Sequence, residues 1–428
     1  MLARRIPRLF NAVVLGQLLF MISHRYWLVA ATLFAMSLAL PALAAPASLT
    51  GVWNATADVA GASIPFRLEL QQQDGAVSGH FFDGPRATTP STEGAFVDGH
   101  LHLEFSSYAA TIDATVVNRT LEGVYVAPKH TVPIHAVLGA LAPWSVPSGP
   151  APAIAGEWII PLASEKGEAA WRLIITQQDE QAEATILRVD GDTGTLDGGY
   201  RNGAFRLAHF AGERPGLLVI TARPDHTLAL TLSDYDGTRQ LTAVRPAVAA
   251  RQGVAPADPT RHTTVQNRVE PFRFAFPDLS GRLISNSDAR FHHKVVVVDV
   301  MGSWCPNCHD EAPYLQALYA RHHQQGLEVV ALDFEQTPAQ MADPGRLKAF
   351  IQRYGLTYTV LLAGETKEVS AKLPQAVGLN AWPTTFFLGR DGRVRATHVG
   401  FTSPGSGPRD VETRREVEHT VETLLAEK

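Results

Sequence analysis

VVVVDVMGSWCPNC, residues 295–308, is the stretch that decides the fold of this chain. Its valine run does not alternate with polar residues, so both faces of the predicted strand should be covered, as in a central parallel strand. The residues from Pro306 onward read as a helix, which places Cys305 and Cys308 at a strand-to-helix junction. A helix N-terminus stabilises a thiolate, so this position favours reversible dithiol–disulfide chemistry. A zinc site would need four ligands, and these two are the only cysteines in the sequence.

The length and composition of the chain describe a multidomain globular protein. Its 428 residues are enough for several domains, each with its own core. An apolar content of 45% and a charged content of 18% are those of an ordinary folded protein. A formal net charge of −5 argues against a nucleic-acid partner, because such a partner requires a basic surface that neutralises phosphates.

The N-terminus predicts export. The first 44 residues contain four arginines and no Asp, Glu or Lys, and an apolar run from Trp27 to Leu38 precedes the small-residue pattern Pro41–Ala44. This arrangement is typical of a secretory signal peptide, which we predict at residues 1–44. An earlier apolar stretch suggests that the true start is Met21, and an uncleaved membrane anchor is the alternative. We therefore expect the rest of the chain in the periplasm, soluble after cleavage or anchored at its N-terminus.

Export also bears on the purpose of the cysteines. Exported proteins commonly use disulfides to stabilise their folds. A bond between Cys305 and Cys308 would close a very small ring and contribute little in this way. The pair is therefore interpreted as chemically active.

An internal repeat precedes this region. Gly51–Trp53 reappears as Gly156–Trp158, an offset of 105 that also relates Gln72–Asp74 to Gln177–Asp179. Apolar and polar residues alternate in segments such as Phe66–Leu70, and Asp-Gly or Asn-Gly turns separate these segments. We predict two repeated all-β modules, residues 46–145 and 152–248, each a small barrel or sandwich.

The repeats carry no catalytic motif. Their histidines are scattered, and the Gly-x-Trp at the start of each copy is interpreted as a core anchor. We therefore interpret the modules as a scaffold or a partner-binding unit. A polar linker is predicted at residues 249–268.

Residues 269–428 predict an α/β domain with the element order β-α-β-α-β-(α)-β-β-α. The predicted strands are Val295–Val300, Leu327–Leu332, Tyr358–Leu362, Thr384–Leu388 and Val394–His398. The predicted helices are Pro306–His322, a helix capped by Asp343 with Pro344 at its first position, a short helix near Glu368–Gln375, and a closing amphipathic helix.

Residues 272–428 resemble the thioredoxin-fold domain of the exported TlpA/ResA-like disulfide reductases, and the resemblance does not reach residues 46–250. The residues that carry it are Asp299, the W-C-x-x-C of Trp304–Cys308, Glu311, Pro313, the cis-proline loop Ala381–Thr385, and Gly400. Trp382 departs from the family, in which a small or aliphatic residue usually precedes that proline.

The resemblance implies roles for these residues. Cys305, exposed at the helix N-terminus, is expected to be the nucleophile, and Cys308 the resolving cysteine. A buried Asp299 would accept the proton of Cys308, and Glu311 would tune the pair. The residues expected to contact substrate are Trp304, Pro306, Trp382, a cis Pro383, and Gly400.

No cofactor or metal is expected beyond the redox-active Cys305–Cys308 disulfide. The expected partners are protein disulfides and a membrane-embedded thiol reductant. The resemblance favours a reductant that prepares apocytochrome c or rescues oxidised thiols.

Three alternatives remain. Cys305–His309 matches the C-x-x-C-H of c-type cytochromes. A peroxiredoxin-like thiol peroxidase would need a threonine and a proline where Gly302 and Met301 stand. A binding protein, finally, would carry its main role in the β repeats.

Overall fold

The computed structural model describes residues 48–139 and 150–427, which from Leu49 onward form one compact unit. The predicted signal peptide and its cleavage site lie outside these residues. Within the part of the chain that the structure describes, no helix is long and apolar enough to cross a membrane. The described residues form two β barrels and an α/β domain, so the predicted fold class is confirmed.

The first barrel is a closed antiparallel sheet. Its strands pair in the order β2-β1-β9-β8-β7-β6-β5-β3-β4, and an additional β2–β3 pairing closes the ring. The strands are β1 (Gly51–Val59), β2 (Ala62–Gln73), β3 (Ala76–Asp83), β4 (Arg86–Pro90), β5 (Glu93–Val97), β6 (His100–Phe105), β7 (Ala110–Val117), β8 (Thr120–Ala127) and β9 (His130–Leu138). A 3-10 turn, Ser106–Tyr108, joins β6 to β7.

The second barrel repeats this plan. Its strands pair in the order β10-β11-β12-β14-β15-β16-β17-β18, β13 pairs with β12, and a bridge between Ile159 and Val244 joins the two ends. The strands are β10 (Gly156–Pro161), β11 (Ala170–Gln178), β12 (Gln181–Arg188), β13 (Gly191–Asp192), β14 (Leu196–Arg201), β15 (Ala204–His209), β16 (Gly216–Ala222), β17 (Leu228–Asp234) and β18 (Gly237–Ala243).

The repeated tryptophans anchor the two barrel cores in the same way. Trp53 and Trp158 are both buried, and each indole N–H donates to a backbone carbonyl four residues earlier, at 2.9 and 2.8 Å. Gln72 and Gln177, which the 105-residue offset relates, each accept a backbone N–H at the start of their module. The predicted role of the Gly-x-Trp segments as core anchors is therefore confirmed.

The second barrel contributes to the core of the first. Phe210 is buried and lies edge-on against Phe66 and Tyr125, with ring centroids 5.0 and 5.2 Å apart. The hydroxyl of Tyr125 donates to the backbone carbonyl of Gly212. The two barrels therefore share part of one hydrophobic core.

The α/β domain has the strand order β24-β23-β22-β26-β27. Strands β22, β23 and β24 are parallel to one another, whereas β26 and β27 are antiparallel to their neighbours. The strands of this region are β19 (Thr264–Val265), β20 (Ala275–Pro277), β21 (Leu283–Ser285), β22 (Val295–Met301), β23 (Leu327–Glu335), β24 (Thr359–Glu365), β25 (Ala376–Val377), β26 (Thr384–Leu388) and β27 (Val394–Val399). The helices are α1 (Pro246–Arg251), α2 (Pro306–His322), α3 (Pro338–Ala342), α4 (Gly345–Tyr354), α5 (Val369–Lys372) and α6 (Pro408–Ala426).

Both faces of the central strand are covered, as its unbroken valine run predicts. Every residue of β22 is buried. Val295 and Val297 pack on residues of α2 and α6, whereas Val296 and Val298 pack on a cluster of phenylalanines from 272–291 and on α5. This sandwich fixes the C-terminal end of β22, from which the cysteine motif follows.

One detail of the sequence interpretation needs correction. Asp343 does not cap α4, because the helix starts at Gly345 with Pro344 as its N-cap residue.

Residues 249–268, the predicted linker, connect the second barrel to the α/β domain. They include part of α1 and the strand β19, which pairs with β25, and Pro259 accepts a hydrogen bond from the backbone of Val399.

Candidate active site

The two cysteines occupy the N-terminus of α2. Cys305 is the N-cap residue, and its Sγ accepts the backbone N–H of Cys308 at 3.3 Å. Pro306 takes the first helical position, where its missing N–H costs nothing. Both cysteines are present as thiols. A backbone N–H of the first helical turn therefore points at Cys305 Sγ, at the positive end of the helix dipole, which is the arrangement that favours a thiolate.

The cis-proline loop lies opposite the thiols. The Trp382–Pro383 bond is cis, as expected, and the thiol of Cys305 donates to the carbonyl of Trp382 at 3.5 Å. Trp304 and Trp382 lie side by side with ring centroids 5.8 Å apart. The expected contact surface next to Cys305 is therefore assembled from both segments.

Cys308 is a poor thiolate in the folded protein. Burial raises its pKa well above the ordinary value, and the neighbouring Cys305 and Asp299 raise the pKa further. A buried cysteine that must be deprotonated at the moment of reaction suits the second, resolving step.

Asp299 lies beneath the cysteines, at the middle of β22. It is 3% exposed, and its Oδ1 has no hydrogen-bond partner among the described residues. Burial raises the pKa of Asp299 to about 8, so the carboxyl group is largely protonated at neutral pH. Its interaction with Cys308 places a proton-accepting group where the resolving thiol needs one.

Glu311 is the second buried carboxyl group of the site. It is 1% exposed, and its Oε1 accepts the hydroxyl hydrogen of Thr385 at 2.9 Å. Burial raises its pKa well above the usual range, and repulsion from Asp299 raises it further. Thr385 is also the strand partner of Asp299, so both carboxyl groups belong to one buried polar cluster.

The structure contradicts the expectation that Cys305 is exposed. Cys305 is only 3% exposed, and the loop Val189–Asp192 of the second barrel packs beside the cysteine motif. Gly191 pairs with Phe401, and the side-chain amide of Asn307 donates to the Asp190 carbonyl at 2.7 Å. We call Val189–Asp192 the docking loop.

Gly400 also lies against this loop rather than along an open groove. A Cβ atom at Gly400 would come within 2.5 Å of the Val189 carbonyl oxygen, so this close approach requires glycine. The part of the expected substrate groove next to Gly400 is therefore occupied by the chain itself.

A buried ionic network holds the loop before the cysteines, and sequence reasoning missed it. Asp333 accepts the backbone N–H of Ser303 at 3.0 Å. Arg346 donates from Nε to Ser303 Oγ at 2.9 Å and forms an ion pair with Glu335. The signal that could have found it is the pair of acidic residues, Asp333 and Glu335, directly after the apolar run Val329–Leu332 of strand β23.

His309 is held by three neighbours. Nε2 lies 2.9 Å from the Ser303 carbonyl, Nδ1 lies 2.8 Å from the Tyr354 hydroxyl, and the ring stacks on Tyr108 of the first barrel at 4.1 Å. Burial lowers the pKa of His309 well below its usual value. Both ring nitrogens are engaged, so the arrangement does not support the cytochrome alternative.

Comparisons with known proteins agree with this geometry. Residues 268–397 match the AhpC/TSA family. The thiol-disulfide oxidoreductase ResA of Bacillus thuringiensis (strain Al Hakam) is 30% identical over 127 residues, which are 30% of this chain and 66% of ResA. ResA of Geobacillus thermodenitrificans is 28% identical over 127 residues, again 66% of its length. The chain therefore spans just under two thirds of these relatives.

Solved structures align with the same region. A thioredoxin-family thiol:disulfide interchange protein of Chlorobium tepidum is 21% identical, with a TM-score of 0.29 over 40% of this chain and 100% of its own. A secreted Mycobacterium tuberculosis disulfide oxidoreductase is 22% identical, with a TM-score of 0.27, and the alignment covers 36% of this chain and 97% of that protein. The family match and the ResA relatives confirm the predicted resemblance: the C-terminal domain has a thioredoxin fold.

Proposed function

We propose that this protein is a thiol-disulfide oxidoreductase that reduces protein disulfides through Cys305 and Cys308. The observation that carries the proposal is the position of Cys305 Sγ, at the N-terminus of α2 and hydrogen-bonded to the Cys308 N–H. The similarity of residues 268–397 to ResA proteins supports the same chemistry.

The reaction proceeds in two exchange steps. The thiolate of Cys305 attacks a substrate disulfide, forms a mixed disulfide and releases one substrate sulfur as a thiolate, which takes up a proton. Cys308 then loses its proton to Asp299 in its ionised form, which becomes more populated as the pH approaches 8, and attacks Cys305 Sγ. This forms the Cys305–Cys308 disulfide and releases the second substrate sulfur. Two electrons pass from the protein dithiol to the substrate, which leaves as a dithiol.

The buried carboxyl groups serve the second step. A carboxyl with a pKa of about 8 is a better proton acceptor than an ordinary aspartate, because its basicity is closer to that of a thiolate. Glu311 interacts with Asp299 and Cys305, so it adjusts the charge of the pair without accepting the Cys308 proton itself.

The cellular setting belongs to the proposal as well. The predicted signal peptide favours a periplasmic location, where the dithiol would be regenerated by a membrane-embedded thiol reductant. Its substrates would be disulfides of exported proteins, including apocytochrome c or proteins with oxidised thiols.

The direction of the reaction is tested by the reduction potential of the Cys305–Cys308 couple in the full chain. We expect a value near that of thioredoxin, about −270 mV, together with reduction of a protein disulfide that needs both cysteines. A value near about −120 mV would instead identify an oxidant. Peroxide consumption that requires Cys305 but not Cys308 would favour the peroxidase alternative.

A further inference from the structure

We propose that the two β barrels select the substrate: they leave a narrow cleft over Cys305 that admits a disulfide only on an extended, unfolded protein segment. This inference rests on the proposed disulfide exchange and specifies its substrate class. A disulfide that lies flat on the surface of a folded protein would be excluded.

The first argument is that the docking loop is firmly attached. The Asp192 carboxylate accepts the Ser403 N–H at 2.7 Å and the Ser406 hydroxyl at 2.6 Å, and its side chain is fully buried. A Cβ atom at Gly191 would come within 2.2 Å of the Phe401 carbonyl oxygen. The loop therefore contacts the α/β domain through its backbone and a buried carboxylate, and it covers the Gly400 side of the dithiol.

Arg214 of the second barrel attaches the same face to the cysteine motif. Its guanidinium donates to the Asn307 side-chain oxygen at 2.6 Å and to Asp310 at 2.8 Å, and it also contacts Asp192 at 3.3 Å. Asn307 is the residue directly before Cys308. The second barrel therefore holds the first turn of α2 through a side chain inside the C-x-x-C motif.

What remains open is a cleft of about 540 Å³ on the Trp382 side, which we call the dithiol cleft. The barrels and the α/β domain each supply part of its lining, which includes Lys129, His130, Tyr235, Trp304, Cys305 and Trp382. His130 of the first barrel stacks on Tyr235 of the second, with ring centroids 3.7 Å apart and planes within 7°. This stacked pair links the two barrels at the wall of the cleft.

The size of the cleft determines the shape of the substrate. Its volume is that of a site for a small molecule or a few residues, within the range of about 300–1,000 Å³ typical of ligand pockets. Two folded proteins that form a stable complex typically bury a face of about 800 Å² on each partner. A folded protein cannot bring a flat surface to Cys305 through such an opening, whereas an extended segment can enter it.

The charges of the cleft give no preference for an ionic substrate. Three ion pairs lie in its lining: Lys166 with Asp190, Arg188 with Asp234, and Arg214 with Asp192. The other two charged residues of the lining, Lys129 and Asp236, have opposite signs, so the charges of the lining sum to zero. The thiol itself is flanked by the indole rings of Trp304 and Trp382. The cleft therefore suits a neutral segment with apolar side chains, as exposed by an unfolded chain.

Two buried donors at the cleft are free to bind such a segment. The indole N–H of Trp382 and the hydroxyl of Tyr235 have no hydrogen-bond partner within residues 48–139 and 150–427. Buried donors of this kind are usually satisfied in proteins. With a small side-chain rotation, backbone carbonyl groups of an extended substrate would accept both hydrogens.

The test compares single-turnover reduction of three disulfides by the reduced full chain. The substrates are an unstructured linear peptide with one internal cystine, a stably folded protein with one solvent-exposed disulfide, and oxidised glutathione. Each rate is divided by the rate of the same disulfide with dithiothreitol, which corrects for intrinsic reactivity. We expect the normalised rate of the peptide to exceed those of the other two by at least about tenfold.

Variants of the cleft wall provide a second readout. Tyr235→Ala and His130→Ala, made separately, widen the cleft and should each raise the normalised rate of the folded protein severalfold. Tyr235→Ala also removes a hydroxyl that binds the extended segment, so it should lower the peptide rate. Tyr200→Ala removes a half-buried tyrosine of the second barrel that does not line the cleft, and it should change neither rate.

The outcomes separate the two proposals. Equal normalised rates for peptide and folded protein, or a folded-protein rate that neither wall variant raises, would overturn the selection proposal and leave disulfide exchange intact. Oxidised glutathione reduced faster than the peptide would show a small-molecule site and also overturn it. Reduction of none of the three would contradict the proposed function itself.

Discussion

Asp299 connects the chemistry of the site to the stability of the fold. It is a carboxyl group inside a strand of valines, and burial raises its pKa to about 8. An unfolded chain would release that proton near pH 4. The native state therefore keeps a proton that the unfolded state loses, and the fold is less stable at neutral pH than at acid pH on account of this one group.

Asp299→Asn should therefore stabilise the protein in a pH-dependent way. Below about pH 4 the Asp299 carboxyl group is neutral in the folded and in the unfolded protein, as the asparagine side chain always is. The variant and the wild type should therefore unfold alike at that pH. As the pH rises above 4, the free energy of unfolding of the variant should exceed that of the wild type by a growing amount. The difference should reach up to about 4 kcal/mol near pH 7. Urea unfolding at several pH values, followed by tryptophan fluorescence, measures this gain. Asp98→Asn, an exposed turn substitution, is the control, and a gain independent of pH would contradict the assignment.

The same substitution should slow the resolving step. With Asp299 present, release of the second substrate sulfur should accelerate as the pH rises through about 8, because the carboxylate then accepts the Cys308 proton. In Asp299→Asn that acceleration should shift to higher pH, and mixed disulfide should accumulate. Rapid-quench kinetics of mixed-disulfide decay measure this. An unchanged pH profile would show that Asp299 has only a structural role.

At the scale of single residues, the sequence predicts the chemical groups better than their surroundings. Cys305, Cys308, Asp299 and Glu311 were predicted, and the structure brings them together around α2 and β22. The burial of Cys305 and the packing beside it of a barrel loop more than a hundred residues earlier could not be predicted, since neither has a local signal in the sequence.

At the scale of elements, the docking loop is a short piece of backbone whose geometry depends on glycine. Gly191 has φ +120 and lies directly against Phe401, so a side chain would have to push the two segments apart. The pairing of β13 with β12 supports the loop from the barrel side. The loop is therefore positioned from both ends.

Gly191→Ala should displace the docking loop. We expect the variant to lose about 1–3 kcal/mol of stability from backbone strain and to expose Cys305. The rate of Cys305 alkylation by iodoacetamide, measured in Cys308→Ser, should rise severalfold. Gly203→Ala is a matched control, because Gly203 also has a positive φ, +84, but no atom lies near its Cβ position. Equal alkylation rates in both variants would contradict the role of the loop.

The bounds of helices and strands can be predicted from local sequence patterns, whereas the way these elements pack against one another cannot. The helix Pro306–His322 and the strand Thr384–Leu388 have the predicted bounds, because proline at a helix start and runs of β-branched and aromatic residues are local signals. Strand β23 is longer than predicted because Asp333 and Glu335 continue it while buried in the network around Ser303.

At the scale of the whole molecule, the three parts contact one another through specific side chains. Phe210 of the second barrel enters the core of the first, and Tyr108 of the first barrel stacks on His309 of the α/β domain. Arg353 of α4 donates to Ser107 at 2.9 Å. We infer that unfolding of the parts is coupled.

Phe210→Ala should weaken that coupling. Truncating a buried phenylalanine costs about 3–5 kcal/mol, and here the loss falls on the first barrel although the residue belongs to the second. Calorimetry of the variant should show the first barrel unfolding before the rest of the protein. Phe205→Ala, which removes an equally buried ring from the core of the second barrel, should lower the stability of the second barrel first. The same calorimetric profile for both variants would contradict the shared core.

The repeat and the fold class were predictable because they are encoded by internal similarity and periodicity. The packing of the second barrel over the cysteine motif was not, since it depends on shape and on contacts such as those of Arg214 with Asn307 and Asp310. This packing turns a thioredoxin-fold domain into a site with a restricted entrance.

The most direct test of thiol-disulfide exchange at Cys305 is trapping of mixed disulfides in the full chain. Cys308→Ser and Cys305→Ser are each reduced, incubated with a linear cystine peptide, and analysed by mass spectrometry without reductant. The account predicts that Cys308→Ser accumulates a disulfide between Cys305 and the peptide and that Cys305→Ser accumulates none. Equal trapping by the two variants, or trapping by Cys305→Ser alone, would contradict it.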